Sequence, residues 1–405
     1  MALSTALSGI NAAQADLGVI ANNISNANTT GFKGSRAQFS DIFAVTGSNL
    51  NSTATGSGTR LEDVAQQFAQ GAITTTNNSM DMAISGNGFF TTNTGTGVAY
   101  TRAGNFQVDA NNNVVTPNGA FLQVYPPNGA GGFDTSTLSN LQLTSVQSNA
   151  TATSLIGMTA NLPANATVPV NPFSPTDATS YNAATPVTVY DSQGGSHQGT
   201  VYYAKTATNA WSANLYVDGI SAGSNPVTFD ANGNLATPAG GNLTFAPVNL
   251  GNGSAPLALT VNVSSTTQFG TAYSPGAITQ NGFAAGTFAS IDVSSSGVVT
   301  ANYSNNQSVK LGQVALANFN NVQGLRQIGN TSWAASGDSG VPIMGSAGTG
   351  QFGAIQSGAL ESSNTSDTTA QLVNMIQAQR DYQANAQVLG TDSVLTNALF
   401  QAVSR

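Results

Sequence analysis

The sequence predicts an α+β fold that is mostly β, with paired coiled-coil helices at the N- and C-termini, a discontinuous β core domain and an inserted outer β domain. Two observations predict this class. Apolar residues at heptad spacing occur near the two ends of the 405 residues, and the sequence between them consists of short apolar runs separated by Gly, Asn, Ser and Thr. The length suffices for about two or three domains with a core in each.

The first helix is predicted from apolar residues that recur every seven positions, with a further apolar or small residue in between. Charge hardly interrupts this segment, since Asp16 is the only charged residue before Lys33. A polar but uncharged helix surface suits close packing among neighbouring helices better than exposure to water. The apolar positions of the repeat are Leu3, Leu7, Ile10, Leu17 and Ile24.

The second helix is predicted from a seam near the C-terminus that steps alternately by three and four residues. A lone amphipathic helix usually packs on the core of its own domain. Here the sequence between the two helices is β or turn, so their expected partners are each other or further copies of the same chain. The main positions of this seam are Leu372, Met375, Tyr382, Ala386 and Leu389.

The middle of the chain predicts β hairpins. The clearest joins a strand at 187–190 to a strand at 200–203 through the Asp- and Gly-containing turn 191–195. Alternating apolar residues at 211–217 predict a half-buried strand. The proline-rich stretch 162–181 is predicted to be an extended passage into a separate domain.

These elements predict a nested arrangement, in which the termini pair, the flanking β segments form one domain, and the middle forms a domain inserted into it. The stretch 47–59, rich in Gly, Ser, Thr and Asn, is expected to be a loop or extended link. The predicted division is a terminal coiled-coil helical domain at 1–31 and 364–405, a connecting segment at 32–70 and 359–363, a β core domain at 71–144 and 285–358, and an inserted outer β domain at 145–284.

The composition excludes several classes of function. Nine Lys and Arg with 17 Asp and Glu make up 6% of the chain, against roughly 25% in an ordinary soluble domain. The net charge of −8 argues against binding to nucleic acid or to an anionic membrane, both of which require basic clusters. With no Cys and one His, sites built on thiolates or on two imidazoles are excluded, and we expect no metal, cofactor or small-molecule substrate.

Two groups of polar residues are candidates for catalysis or for an ion pair. His197 lies close to Asp191 and Ser192, which are the residue types of a hydrolase triad, but a hairpin turn explains them without catalysis. We therefore expect no enzyme. The adjacent residues Arg380 and Asp381 do not share a helix face, so each must find a partner elsewhere, either on a neighbouring subunit or in solvent.

Several motifs resemble those of one protein family. The segment 22–33 is similar to the N-terminal signature of bacterial flagellar rod and hook proteins, and 361–364 with 372–386 is similar to their C-terminal signature. Residues 82–90 and 100–106 resemble the core β domain of the same family. In the middle of the chain, the segments that resemble hook members rather than rod members are 187–194, 302–305 and 311–319.

This resemblance implies a self-assembling homopolymer, a bendable tube that transmits motor torque from rod to filament and encloses an export channel. It implies an extracellular location, in the hook of the flagellar basal body. The implied partners are the chain itself, the distal rod protein, the hook cap, the hook–filament junction protein and the flagellar type III export apparatus. The last of these agrees with an N-terminus that has no basic region and no unbroken apolar run, so that no cleavable signal is expected.

A β-rich adhesin is the competing class, because it would share the turn-rich and charge-poor composition, although heptads at both ends argue against it. The heptad positions and the two terminal signatures together predict an assembly interface. Its predicted residues are Leu3, Leu7, Ile10, Leu17, Ile24, Asn22, Asn23, Asn26, Gly31, Phe32, Leu372, Met375, Ile376, Arg380, Tyr382, Ala386 and Leu389.

Overall fold

A computed structural model describes residues 2–42, 56–143 and 147–403 of the chain. Two long helices lie at its ends, α1 (Ala2–Ser25) and α2 (Thr368–Val403), and the residues between them are mostly β. This confirms the predicted fold class. The described residues form two compact units, unit 1 within Met1–Thr144, Ile291–Ala301 and Val309–Arg405, and unit 2 within Ser145–Ser290 and Asn302–Ser308.

The strands are numbered in chain order. They are β1 (Ser35–Asp41), β2 (Thr59–Gln66), β3 (Ile73–Thr75), β4 (Met82–Ser85), β5 (Phe89–Asn93), β6 (Val98–Thr101), β7 (Gln107–Val108), β8 (Val114–Val115), β9 (Phe121–Tyr125), β10 (Ser139–Asn140), β11 (Gln147–Ser148), β12 (Leu155–Pro163), β13 (Ala183–Tyr190), β14 (Ser196–Ala207), β15 (Ala210–Val217), β16 (Ile220–Phe229), β17 (Leu235–Thr237), β18 (Asn242–Thr244), β19 (Thr260–Asn262), β20 (Thr267–Phe269), β21 (Ser274–Gln280), β22 (Gly286–Val293), β23 (Val298–Tyr303), β24 (Ser308–Asn318), β25 (Arg326–Gly329), β26 (Ser332–Ala334), β27 (Ile343–Ser346), β28 (Ala354–Ser357) and β29 (Ala359–Glu361).

Unit 1 is organised around a sheet in which the strands follow the order β24-β9-β5-β6-β26-β25. Successive side chains of a strand point to opposite faces of the sheet. In β5, Phe90 accordingly packs into one apolar cluster with Leu122 and Val314, and its neighbour Phe89 packs into a second cluster with Trp333. Both faces of this sheet are therefore covered, which explains why the consecutive residues Phe89 and Phe90 are both apolar and buried.

Unit 2 contains the antiparallel sheet β13-β14-β15-β16-β17 and a second sheet in the order β18-β19-β12-β20, with β21 also paired to β12. The predicted hairpin is present, with Val187 opposite Gly199 in β13 and β14. One apolar core includes side chains from both sheets, among them Trp211 of β15 and Ile156 of β12. The Trp211 indole also donates a hydrogen bond to Gln268 Oε1 of β20 at 2.8 Å, so the two sheets are joined by polar as well as apolar contacts.

The proline-rich stretch after β12 belongs to unit 2 and does not form a free passage. Lys205 of β14 is buried and donates hydrogen bonds to the backbone oxygens of Ala164 (2.6 Å) and Ala166 (2.9 Å). Further along the stretch, the Phe173 ring packs at 5.6 Å from the Tyr202 ring. The prolines keep the segment extended, and a buried ammonium together with ring contacts hold it on the domain.

The connecting segment contains an antiparallel hairpin, β1 with β2, that the sequence analysis did not predict. Its strands carry Arg, Asp, Glu and Gln, so they lack the apolar alternation that identifies a strand. The Thr59 backbone NH donates to Ser8 Oγ at 3.2 Å, which attaches the hairpin to α1. Of the link predicted at 47–59, residues 47–55 lie outside the described part of the chain.

His197 forms a clamp between two carboxylates of unit 2. Its Nδ1 lies 2.6 Å from Asp218 Oδ2 and its Nε2 lies 3.1 Å from Asp191 Oδ2. A neutral imidazole has one NH, so only the protonated ring can donate to both carboxylates. The Asp218 bond leads the effects that raise the pKa of His197, against the opposing effect of burial. Neither ring nitrogen is then available as a base for Ser192, whose hydroxyl accepts from the Ala255 backbone NH.

Asp191 is also held by its own turn. Burial alone would raise the pKa of Asp191, but the bonds from His197, from the Gly195 and Gln193 backbone NH groups and from Asn252 outweigh burial and lower it to about 2. The carboxylate therefore stays charged at all ordinary pH values, and it stabilises the imidazolium beside it.

A buried carboxylate joins the two ends of the chain in unit 1. Glu361 is fully buried, and its Oε1 lies 2.5 Å from Lys33 Nζ while its Oε2 lies 3.2 Å from Arg102 Nη1. The Gly71 backbone NH donates to the same Oε1 at 2.9 Å, and Lys33 Nζ also donates to the Ala69 oxygen at 2.8 Å. Burial lowers the pKa of Lys33, and the adjacent carboxylate opposes that effect. We call Lys33, Arg102 and Glu361 the ion triad.

The ion triad yields a stability prediction. Glu361→Gln removes both ion pairs and leaves two buried cations without a counter-charge. The free energy of unfolding of unit 1 should therefore fall by about 3–5 kcal/mol. The measurement is the urea midpoint followed by circular dichroism. Glu62→Gln, which removes a carboxylate exposed on β2, is the matched control and should leave the midpoint unchanged. Equal midpoints for the two variants would show that the triad contributes little.

The His197 clamp yields a prediction of pH dependence. Because the pKa of His197 is raised in the folded state, its contribution to stability is fully present below the unfolded value of about 6.5 and is lost as the pH rises through the folded value. The thermal midpoint of unit 2 should therefore fall as the pH rises above about 6.5. His197→Gln should remove this fall. The clamp is excluded if that variant and the parent lose stability in parallel over the same range.

Candidate functional site on the terminal helices

The two terminal helices pack against each other in antiparallel directions. Thr365, just before α2, donates through Oγ1 to the Asn23 oxygen near the end of α1, at 3.0 Å. Further along, Gly9 of α1 faces Asn385 of α2 so closely that a Cβ at Gly9 would lie 2.5 Å from Asn385 Oδ1. A glycine at this position is what permits the close approach.

The buried seam of α1 and of the turn after it consists of three alanines and one isoleucine. Ala6, Ala13, Ile20 and Ala27 are each 7% exposed or less, and they recur every seven positions. This seam is offset by three residues from the predicted row that begins at Leu3. On α2 the matching buried residue is Ala378, which is 2% exposed. The pair therefore forms through small side chains, which let two helix backbones approach closely.

Large apolar side chains lie outside this seam. Leu7 is 50% exposed and Ile376 is 47% exposed, and exposure rises to 69% at Phe400 near the end of α2. Exposed apolar side chains grouped on one part of a protein are typical of a surface that another chain covers. The helix residues in this group are Leu3, Leu7, Leu372, Val373, Ile376, Tyr382, Val388, Val394, Leu395, Leu399 and Phe400.

The residues predicted for an assembly interface fall into three groups. Leu3, Leu7, Asn22, Leu372, Ile376, Arg380 and Tyr382 are exposed. Those that are half-buried are Ile10, Leu17, Ile24, Asn26, Met375, Ala386 and Leu389. Those that are buried are Asn23, Gly31 and Phe32. The exposed and half-buried residues leave apolar surface available for contact with a second chain.

The buried residues of the N-terminal signature have roles inside the chain. Asn23 donates through Nδ2 to the Ser35 oxygen at 2.8 Å and accepts from the Ser35 NH at 2.9 Å, which fixes β1 beside α1. Gly31 has φ of +67°, and a Cβ there would lie 2.4 Å from the Ala103 backbone N. Its NH donates to the Glu361 oxygen at 2.8 Å. These positions determine how α1 joins the rest of unit 1.

A cleft of about 450 Å³ lies among α1, β1 and the start of α2. Asp16 lines it together with Arg36, Gln371, Asn374 and Gln377. Burial, and secondly the charge of Asp381, raise the pKa of Asp16. Asp16 and the alanines of the seam are not among the residues predicted for the interface. The seven-residue spacing of Ala6, Ala13, Ile20 and Ala27 is the sequence signal that identifies the seam.

The described residues contain neither a cluster of candidate metal ligands nor a helix that could span a membrane. Among them no group of three or more His, Cys, Asp or Glu side chains is placed to hold a metal ion. In the same part of the chain, no helix combines the length and the apolar character that crossing a membrane requires.

Four family models match this chain in succession. A flagellar basal body rod protein model matches residues 3–33, and a flagellar hook protein FlgE/F/G D1 domain model matches residues 83–169. A flagellar basal body protein FlaE D2 domain model matches residues 161–283. The C-terminal model of the flagellar basal body rod FlgEFG proteins matches residues 356–399.

Full-length relatives agree with these matches. The chain is 39% identical over 411 residues to the flagellar hook protein FlgE of Escherichia coli, covering 98% of this chain and 99% of the relative. It is 39% identical over 410 residues to FlgE of Salmonella typhimurium, with the same coverage. The crystal structure of Helicobacter pylori flagellar hook protein FlgE2 superposes with a TM-score of 0.54 at 15% identity, covering 71% of this chain and all of that one. This chain belongs to the family of bacterial flagellar hook proteins, and it is a structural subunit of the hook.

Proposed function

We propose that this subunit polymerises through α1 and α2 into a bendable tube, which encloses an export channel and transmits torque from rod to filament. The observation that carries the proposal is the exposed apolar surface of the helix pair, since Leu7 and Ile376 remain about half exposed when α1 and α2 are packed together. Burying the exposed half of such a side chain contributes about 1 kcal/mol. Helix pairs of neighbouring copies would bury these exposed side chains.

The small-residue seam supports the same proposal. A helix pair that buries Ala6, Ala13 and Ala378 between its members is held by close packing but removes little apolar area from water. The larger side chains lie outside that seam. These larger side chains therefore remain available for contacts between copies.

We propose that each subunit has four parts. They are a terminal helical domain (1–31 and 364–405), a connecting segment (32–70 and 359–363), a β core domain (71–144 and 285–358) and an inserted outer β domain (145–284). In this division the helices form the inner layer and the two β domains lie at larger radius. The hairpin of β1 and β2 falls inside the proposed connecting segment 32–70. The proposed boundary between residues 144 and 145 lies outside the described part of the chain.

Sparse charge supports the idea of a bendable coupling. The chain carries 26 charged residues in 405 and many Asn, Ser, Thr and Gly residues. Contacts between uncharged polar groups exchange readily with water, so outer domains could slide past one another at low energetic cost. We propose that the inserted domain makes contacts of this kind.

We propose that the partners are the distal rod protein, the hook cap, the hook–filament junction protein and the flagellar type III export apparatus. Rod-protein models match both ends of the chain, at 3–33 and 356–399, which supports end-to-end continuity with the rod.

We also propose that the subunit is no enzyme and needs no cofactor, nucleic acid or small molecule. The engagement of both nitrogens of His197 by carboxylates supports this part of the proposal.

The exposed apolar surface of the helices yields a prediction about polymerisation. Leu7→Asp and Ile376→Asp each place a charge where a second copy would cover it, so the concentration needed for polymerisation should rise at least about tenfold. Because both side chains are about half exposed in one copy, the thermal midpoint of the monomer should stay unchanged. Val98→Asp, on a strand residue that is 46% exposed, is the control and should polymerise normally. Normal polymers from either helix variant would contradict the proposal.

The inserted domain yields a prediction about the shape of the polymer. A chain without residues 145–284 keeps both helices and the proposed β core domain, so it should still polymerise but give tubes of altered curvature or stiffness. Electron micrographs would measure curvature against the parent. Failure to polymerise would show that the insert is needed for assembly, and tubes identical to the parent would show that it does not determine shape.

A further inference from the structure

Arg380 lies on the exposed apolar face of α2. Val373, Ile376 and Arg380 are spaced by three and four residues, which places them on one side of a helix. Val373 is 60% exposed and Ile376 is 47% exposed. A chain that covers these two apolar side chains must cover Arg380 as well.

A covered Arg380 requires an anionic partner. It is the only basic residue in the sequence of either terminal helix. Among the residues that the structure describes, Arg380 forms no ion pair within 4 Å, and neither does the adjacent Asp381. A guanidinium taken out of water without a counter-charge costs several kcal/mol. The partner must therefore be supplied by whatever covers this face.

Asp16 is the complementary group on α1. Its carboxylate lines the cleft among α1, β1 and α2, and no ion pair within 4 Å involves it in the described residues. Arg36 lines the same cleft, but it forms no ion pair with Asp16 within 4 Å. Gln371, Asn374 and Gln377 add side-chain amides to the lining. A cleft lined by one carboxylate and these side-chain amides offers several acceptor oxygens to the NH donors of one guanidinium.

Asp16 also lies in an environment that favours the arrival of a positive charge. Burial and the charge of Asp381 both raise its pKa, so the charged carboxylate is destabilised in an isolated copy. A guanidinium in the cleft would oppose both effects.

The Arg380 of the same copy does not reach the Asp16 carboxylate, since no ion pair within 4 Å joins these two residues in the described part of the chain. Ala378, two residues earlier, is 2% exposed. Two residues turn an α-helix by about 200°, so the Arg380 side chain leaves α2 on a different side from Ala378. An arginine from another copy is therefore the partner that we assign to Asp16.

We propose that Arg380 of one subunit enters the Asp16 cleft of a second copy and forms an ion pair with the Asp16 carboxylate. This inference rests on the proposed polymerisation through α1 and α2, and it names the polar contact that fixes how neighbouring helix pairs are aligned. Each subunit supplies one arginine and one cleft, so the contact repeats along the polymer.

The test exchanges the two charges between copies. Arg380→Glu and Asp16→Lys each place like charges at the contact, so each variant alone should need at least about tenfold more protein to polymerise. An equal mixture of the two should polymerise near the parent concentration, because a carboxylate at position 380 then meets an ammonium at position 16, and the unaltered pair forms at the alternate contacts. The double variant should polymerise alone for the same reason.

Controls separate this contact from folding and from net charge. Arg326→Glu makes the same charge change at an exposed residue of β25 and should polymerise as the parent does. Thermal midpoints of all variants should match the parent, which shows that each monomer is folded.

Three results would overturn the proposal. In the first, Arg380→Glu polymerises at the parent concentration. In the second, the single variants fail but neither the mixture nor the double variant recovers, which would assign Arg380 to a different partner. A parent chain that does not polymerise would refute assembly itself, and this outcome is distinguishable because it appears without any substitution.

Discussion

The buried carboxylate of Glu361 determines how the two ends of this chain meet. It bonds Lys33 and Arg102 at once, so the segment after α1, the sheet of unit 1 and the segment before α2 converge on one side chain. Next to it, Asn364 Oδ1 accepts from the Gly34 NH at 2.8 Å, and Thr365 bonds Asn23. Because a buried charge tolerates few alternative arrangements, these contacts define where both helices begin and end relative to the sheet.

Much of the fold could be predicted because its signals are local. Heptads mark the helices, and alternating apolar residues mark strands such as β13 and β15. The hairpin of β1 and β2 has no such signal, since its strands are largely polar and its bond to Ser8 of α1 leaves no periodic pattern in the sequence. Nor could sequence show that Lys205 holds the proline-rich stretch, because its two acceptors are backbone oxygens about 40 residues away.

The sequence predicts that the heptad row of Leu3 and Leu7 makes helix contacts, with either the other helix or further copies as the partner. In the structure Ala6 and Ala13 are buried in the seam of the helix pair, whereas Leu3 and Leu7 are exposed. A single sequence shows which residues are apolar but not which of two apolar stripes a given partner covers. When a helix has one partner in its own chain and others in neighbouring copies, both stripes satisfy the same periodicity.

The ion triad also has a kinetic consequence. Lys33 and Glu361 are 328 residues apart, and closing so long a flexible loop costs about 5 kcal/mol of chain entropy. Once β1 has paired with β2 and β3 with β29, Ser35 lies opposite Gln66 and Ile73 lies opposite Glu361, so the path between the two residues is short and most of that cost has already been met. We therefore expect α2 to dock on α1 after these strands have paired, because the ion triad that links the two ends forms at low entropic cost only then.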